Sequence, residues 1–419
     1  MVKAVRGRRD ILPANSERWW QVESTVLQTL RSYSYAEVRL PLLEYTELFA
    51  RGVGEATDII EKEMYSLADR DGDSLSLRPE GTASCVRALE EHGLLYNQTQ
   101  RVFYSGPMFR YEKPQKGRYR QFSQIGAEAF GFSGPDLDAE LIALGHTCWR
   151  RLGINDRVHL QLNTLGSSAA RAAFRQALLD YLQPHAEALD RDSQRRLQTN
   201  PLRILDSKNA ATQALLKDAP QLLEFVDAEG LDHFDALQVL LRQLNIPFQL
   251  NPNLVRGLDY YTHTVFEWVT DDLGAQGAVC AGGRYDGLVE RLGGRATPAV
   301  GFAIGVDRIV LLHELAHAET RDNPADVYVC VTEAGVLGAA MRFAEQLRET
   351  SPALRVRVHM GGGQLKKQFK RADASGATWA VLCGAQTQED EVVIKHLRNA
   401  AVGQQQLPIV EAIRQLLQI

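Results

Sequence analysis

Between Phe122 and Phe130 the chain reads Phe-Ser-Gln-Ile-Gly-Ala-Glu-Ala-Phe. A strand of period two carries Gln124, Gly126 and Glu128 on one face and Ile125, Ala127 and Ala129 on the other. An amide and a carboxylate flanking a glycine gap can hold a small polar ligand such as an amino acid, with Glu128 accepting from a cationic or N–H group. The pattern equally fits an antiparallel strand with one solvated face. Arg256-Gly-Leu-Asp-Tyr260-Tyr261 sets a guanidinium suited to phosphate close to two hydroxyls that can orient a polar substrate. A surface ion pair with aromatic packing would use the same residues. In Gly301-Phe-Ala-Ile-Gly305-Val-Asp307-Arg308 a strand enters a helix with Arg308 in or near its first turn. A cation there opposes the helix dipole, and a bound polyanion would relieve the conflict, as would Asp307 alone. Finally, Gln364-Leu-Lys366-Lys367-Gln-Phe-Lys370-Arg371 pairs like charges at i,i+4 on one helix, either a phosphate-binding face or a solvated one.

Other chemistries find no support. No P-loop and no full GxGxxG stands between a strand and a helix, so a bound nucleotide must be held by arginines on a sheet surface. The five cysteines are far apart, without metal-ligand spacing, and read as reduced, buried thiols. A formal net charge of -5 restricts nucleic-acid contact to local patches. No leader or membrane span is expected at the N-terminus, and a soluble cytoplasmic protein follows.

The positioning elements can be read from periodicity. Trp19, Val22, Val26, Leu27 and Leu30 recur at helical spacing behind an Asn15/Ser16 cap, predicting an amphipathic helix over a sheet. An extended stretch at Val38 to Leu43, a short strand from Leu75 ended by Pro79, and strands at Arg101 to Tyr104 and Phe122 to Phe130 follow, the last two joined by a long polar loop from Tyr111 to Arg120. Residues from about 165 to 245 read as a helical insertion. Strands return at Thr262 to Val269, Gly277 to Ala281 and Val300 to Gly305, before a helix through Val310 and Leu315. Beyond Asn323-Pro324, strands at Val327 to Val331, Val356 to His359, Trp379 to Cys383 and Val392 to His396 alternate with helices, as in a small α/β unit with a mixed sheet. A chain of 419 residues suits two or three such units.

Together these segments resemble the class II aminoacyl-tRNA synthetases and, among them, the histidyl-tRNA synthetase family, over essentially the whole chain. Arg6-Gly-Arg-Arg-Asp10 with Leu12-Pro13 is similar to that family's N-terminal signature, and Leu40-Pro-Leu-Leu-Glu44 to motif 1, a dimer-interface element. Val102 to Phe130 resembles motif 2 and Gly301 to Arg308 motif 3. Leu254 to Tyr261, running on to Phe266-Glu267, and Ala281-Gly-Gly-Arg-Tyr-Asp-Gly287 resemble histidine-specific elements, and Gly361 to Gln368 the anticodon-binding domain.

The resemblance implies an α+β fold: an antiparallel-sheet catalytic domain over residues 1–323 with the helical insertion, and a C-terminal α/β anticodon-binding domain over 324–419. It implies that Glu80, Thr82 and Gln124 hold the α-amino group of L-histidine, with Gly81 in the same turn. Glu128 and Tyr261 read the imidazole, with Tyr260 alongside. Arg110 and Glu112 contact ATP, Arg308 its far phosphate and Arg256 the α-phosphate, with Arg256 and Arg110 as catalytic groups. Gln115, Lys116 and Arg118 face the tRNA acceptor stem, Lys366 and Lys367 lie in the tail's RNA-binding stretch, and Mg²⁺ accompanies ATP with unassigned ligands. The expected function is a homodimeric histidine–tRNA ligase for tRNA(His). Two rivals remain: the synthetase-like regulatory subunit of ATP phosphoribosyltransferase, which usually lacks the tail and the Arg-Gly-Leu-Asp-Tyr-Tyr segment, and an amino-acid-sensing or nucleotide-binding module without transfer chemistry, which needs no arginine triad.

Overall fold

The computed structural model describes residues 2–54, 57–205, 207, 209–255, 258–274, 277–318, 325–384 and 391–417. Contacts divide the chain into two compact units, residues 1–10 with 19–317 and residues 11–18 with 318–419. The expected boundary near residue 324 falls among residues 319–324, outside the described set.

In chain order the first elements are α1 (Pro13–Ser32), β1 (Ala36–Glu37), β2 (Leu43–Tyr45), α2 (Thr46–Val53), β3 (Tyr65–Ala68), β4 (Ser74–Leu77) and α3 (Thr82–Glu91). Next come β5 (Gln100–Phe109), β6 (Gln121–Phe130), α4 (Pro135–Arg151) and β7 (His159–Thr164). The insertion contributes α5 (Ser168–Leu182), α6 (Arg191–Thr199), α7 (Ala210–Leu216) and α8 (Ala228–Gln243). The larger unit closes with β8 (Phe248–Leu250), β9 (Thr262–Val269), β10 (Ala278–Arg284), α9 (Leu288–Arg291), β11 (Ala299–Gly305) and α10 (Val306–Ala316).

Among the described residues the main sheet runs β1-β5-β6-β11-β10-β9-β7-β8, antiparallel except at the β1–β5 and β7–β8 edges. The alternation expected in β6 is realised: Ile125, Ala127 and Ala129 are fully buried in a core shared with Trp19, Val22, Val26 and Leu30 of α1. Each large apolar side chain so buried contributes about 1.5–3 kcal/mol. The other face packs Val102, Tyr104, Phe130 and Val265 against Cys85 and Val86 of α3 and against Phe174 and Leu178 of α5. Polar caps start the insertion helices, with Ser167, Asp190, Asn209 and Asp227 each accepting from backbone N–H groups of the following turn.

Some expectations need correction. Helix α1 begins at Pro13, ahead of the Asn15/Ser16 cap, because proline at the first helical position gives up an N–H that would be unsatisfied anyway. Strand β5 extends to Phe109 through Ser105-Gly-Pro107, which reads locally as a turn. Pairing in register with β6 from Gln100↔Phe130 to Phe109↔Gln121 holds it extended. The stretch from Val38 to Leu42 forms no strand; only β1 and β2 pair on either side of it.

The smaller unit contains β12 (Val327–Val331), α11 (Leu337–Thr350), β13 (Val356–Val358), α12 (Leu365–Ala374), β14 (Trp379–Cys383), β15 (Glu391–His396), β16 (Gln404–Pro408) and α13 (Ile409–Leu416). Its sheet, β13-β12-β14-β15-β16, is mixed, with parallel pairing around β12 and antiparallel pairing beyond β14. Buried Gln368 anchors α12 by bonding the N–H and C=O of Val331 at 2.8 and 2.7 Å, leaving Lys366, Lys367, Lys370 and Arg371 exposed. All five cysteines are free and buried. Among the described residues no helix is long and apolar enough to cross a membrane.

Candidate active site

A cavity of about 280 Å³ is walled by the sheet strands and by the loop joining β5 to β6. Glu80, Thr82, Arg110, Glu112, Arg118, Gln124, Tyr260, Tyr261 and Arg308 all line it. Segments separated by more than two hundred residues thus meet on one polar surface.

One group is built of carboxylates and hydroxyls. Glu128, on β6, is 1% exposed; its Oε1 accepts from Thr82 Oγ1 at 2.7 Å and from the Tyr104 hydroxyl at 3.2 Å, and its Oε2 from the Tyr285 hydroxyl. Burial pushes its carboxyl up to about 8, even though the Tyr285, Thr82 and Tyr104 hydroxyls pull the other way. This face of β6 is therefore not a solvated one. Two glycines make the room: a Cβ at Gly126 would strike the Tyr104 ring, and one at Gly301 the Glu128 carboxylate. Glu80, also buried, accepts from the backbone N–H groups of Thr82 at 2.6 Å and Ala83 at 2.9 Å. It thereby caps α3 at the positive end of the helix, and burial raises its carboxyl above the usual range.

The other group is cationic. Arg308 is the third residue of α10 and donates through Nε to the Gly117 carbonyl at 3.1 Å and through Nη1 to Ala278. Burial, with Arg118 and Arg110 close by, brings its guanidinium down to about 10. Arg110 donates to the Pro79 carbonyl at 2.8 Å and stands over the Phe122 ring, while Arg118 is ion-paired to Glu112. Three guanidiniums on one cavity repel one another, an arrangement that a polyanionic ligand stabilises. Asp307 is directed elsewhere: it takes Arg9 at 2.8 Å and the Ser123 N–H at 2.8 Å. The N-terminal segment is held against the β5–β6 loop by Arg9, which also bonds the Tyr119 hydroxyl, and by the Gly7 carbonyl, which accepts from Arg120 N–H.

Not every expected residue joins the cavity. Gln115 and Lys116 stay in the β5–β6 loop, which is closed by a Gln115–Arg118 bridge. Gly81, the residue preceding α3, is not among the lining residues, and neither is Glu128, which bonds Thr82 and Tyr104 of the wall. Lys366 and Lys367 belong to the smaller unit, and Arg256 lies outside the described residues. The sequence reading assigned no role to Tyr104, Tyr119 or Glu267 in the wall, to Tyr285 on Glu128, or to Arg9, and gave Asp307 only the neutralisation of Arg308. Gly126, two residues before Glu128 on the same face of the strand, was the available signal, since a missing side chain marks what must approach closely.

An antiparallel sheet that gathers a buried carboxylate group and converging arginines in one cavity is the architecture of a class II aminoacyl-tRNA synthetase core. Residues 7–309 match the family model described as histidyl-tRNA synthetase, and residues 326–419 match that of an anticodon binding domain. The chain belongs to the histidyl-tRNA synthetase family. It is similar to the crystal structure of apo histidyl-tRNA synthetase from S. aureus, with 31% identity, 99% of this chain and 100% of that chain covered, and a TM-score of 0.77. The histidyl-tRNA synthetase of Nostoc sp. PCC 7120 shares the fold at 19% identity, with 99% of each chain covered and a TM-score of 0.73. A Bacillus halodurans protein described as an ATP phosphoribosyltransferase regulatory subunit/histidyl-tRNA synthetase shares it at 22% identity, covering 91% of this chain and 98% of its own, with a TM-score of 0.66.

Proposed function

We propose that the chain is a cytoplasmic histidine–tRNA ligase, which activates L-histidine with ATP and transfers it to tRNA(His). The observation that carries this reading is the single cavity lined by both the Glu80 and Thr82 group and the Arg110, Arg118 and Arg308 guanidiniums. Glu80, Thr82 and Gln124 take the α-ammonium group, while Glu128, Tyr260 and Tyr261 receive the imidazole. A carboxylate oxygen of histidine bonds to the α-phosphorus of ATP as the bond from that phosphorus to the bridging oxygen breaks, giving histidyl-adenylate and pyrophosphate. A hydroxyl of the tRNA's terminal adenosine then attacks the histidyl carbonyl and AMP leaves. No protein nucleophile is required: in-line placement and neutralisation of developing charge do the catalytic work, with Arg110 and Arg256 at the reacting phosphate, Glu112 beside ATP and Arg308 at its far end. Mg²⁺ takes oxygen donors beside substrate phosphates, and Glu112 and Glu267 are donors of that kind on the cavity wall; when bound, the ion neutralises triphosphate charge. Gln115, Lys116 and Arg118 meet the acceptor stem, and exposed Lys366 and Lys367 meet the RNA in the C-terminal unit.

Assembly as a homodimer is supported by a small sheet, β2-β4-β3, whose sides are reversed. Leu43, Tyr45 and Leu67 are 43%, 61% and 46% exposed and share a face with Tyr65, Leu75 and Leu77, while Ser76 and Glu44 on the other face are buried. A second copy covering that apolar face resolves the inversion.

The regulatory-subunit reading is kept because of the Bacillus halodurans likeness. ATP–pyrophosphate exchange with each standard amino acid in turn separates the two. The ligase exchanges with histidine alone; a protein that binds histidine without exchanging it is the regulatory subunit.

A further inference from the structure

The turn carrying Tyr260 and Tyr261 into the cavity is held largely from the helical insertion. Arg171, on the first insertion helix α5, reaches across to it. Its Nη1 donates to the Tyr261 carbonyl, and both Nη1 and Nη2 donate to the Asp259 carbonyl at 3.3 Å. The Asp259 carboxylate in turn accepts from Asn200 Nδ2 at 3.2 Å, at the end of α6. Just past the tyrosines, His263 N–H donates to Gly166 at 2.9 Å and the His263 carbonyl accepts from Leu165 N–H at 2.7 Å, with His263 at a φ of 48°. That left-handed conformation is uncommon for a residue other than glycine and persists where its surroundings fix it. Leu165, Leu202, Leu222, Val255 and Leu258 close around the Arg171 and Asn200 contacts with a void of only about 30 Å³. From the other side the turn is tied to the sheet unit by Asp259 N–H donating to the Val53 carbonyl at 3.1 Å.

We propose that Arg171 is a positioning residue for the amino-acid pocket: through the carbonyls of Asp259 and Tyr261 it fixes the tyrosine-bearing turn to the helical insertion, so that affinity for the amino acid depends on where the insertion sits. The inference rests on Tyr260 and Tyr261 contacting the amino acid. Its geometry suits the task. A planar guanidinium offers several fixed donors and spans two carbonyls at once, which a lysine ammonium on a flexible stem does less well. Burial lowers the Arg171 guanidinium from its ordinary value, with Asp259 opposing the shift, as expected of a cation withdrawn from water to serve backbone acceptors. Because neither Arg171 nor Asn200 lines the cavity, any effect on the ligand passes through the turn. The coupling is reciprocal: whatever binds and shifts the insertion changes amino-acid affinity, and the amino acid changes the affinity of that binder by the same factor.

The test compares wild type, Arg171→Ala, Arg171→Lys and Asn200→Ala in two assays: histidine binding by titration calorimetry, and ATP–pyrophosphate exchange with histidine or ATP varied. Arg171→Ala is expected to weaken histidine at least tenfold, in Kd and in KM, with the KM for ATP within twofold of wild type. Arg171→Lys and Asn200→Ala give smaller losses, and guanidinium ion added to Arg171→Ala restores part of the affinity. Equal losses for histidine and ATP, or unchanged histidine binding in a folded Arg171→Ala, overturn the proposal. If Arg171→Ala does not fold, the same criteria apply to Asn200→Ala. The calorimetric arm keeps the two readings apart: wild type that binds histidine without exchange removes the ligase assignment and leaves the Arg171 comparison intact, whereas wild type that binds no histidine overturns both.

Discussion

Glu128 receives three hydroxyl donors, and burial still outweighs them. In the unfolded chain its carboxyl ionises near the ordinary value of 4.5, but in the folded chain only near about 8. Between those values the folded state holds the additional proton, so stability falls as pH rises. Glu128→Gln removes this titration and leaves the other carboxylates in place. Urea unfolding between pH 5 and 8 should therefore show the wild type losing stability more steeply than the variant, by up to about 1.4 kcal/mol per pH unit. Parallel curves would contradict a proton held at this site. Glu128 could be placed from the sequence on a polar strand face with a glycine gap, and the family resemblance then separated a ligand site from a solvated face. The partner hydroxyls of Tyr104 and Tyr285 could not, since tyrosines in strands serve packing at least as often.

At the scale of elements, a buried ion pair does structural work away from the cavity. Asp138 of α4 is fully buried and accepts from Arg284 of β10 at 2.9 Å and Thr264 of β9 at 2.7 Å, with His233 Nε2 of α8 at 2.8 Å. One carboxylate thus joins four elements. Removing it by Asp138→Ala leaves the Arg284 guanidinium, itself 1% exposed, only the Phe132 carbonyl and the Asp286 carboxylate at 3.6 Å, and should cost roughly 3 kcal/mol of stability, read as a lowered urea midpoint. A loss under 1 kcal/mol would mean the site relaxes or admits water. The sequence showed the elements whose periodicity was strong: β6, β9, β11 and α10 lie within a residue or two of where the pattern put them. It did not show the second half of β5, where Gly106 and Pro107 argue locally for a turn and long-range pairing decides otherwise.

For the whole molecule, the reversed sheet β2-β4-β3 presents an apolar face that a single chain leaves uncovered. Placing charge on it, as in Leu43→Arg with Leu67→Arg, should convert a sedimenting dimer to monomer while leaving the far-UV circular dichroism unchanged, because both side chains reach the surface in one chain. A wild-type protein that sediments as a monomer, or a double variant that remains dimeric, would place the self-association surface elsewhere.

The sequence by itself determined the helical insertion and the mixed tail sheet and, through its resemblance, the family, the α+β class and nine of the residues that line the cavity. The elements follow from spacing within short segments, which chain geometry carries directly into a strand face or a helix stripe, and the rest from motifs that resemble the family's. Only the tertiary structure decided that Asp307 bonds Arg9, that Glu80 caps α3, and that Arg171 and Asn200 of the insertion hold the tyrosine turn. Each of those partners is distant in sequence or reached through a backbone group, and no local pattern encodes which carbonyl or carboxylate a long side chain will find once the sheet has assembled.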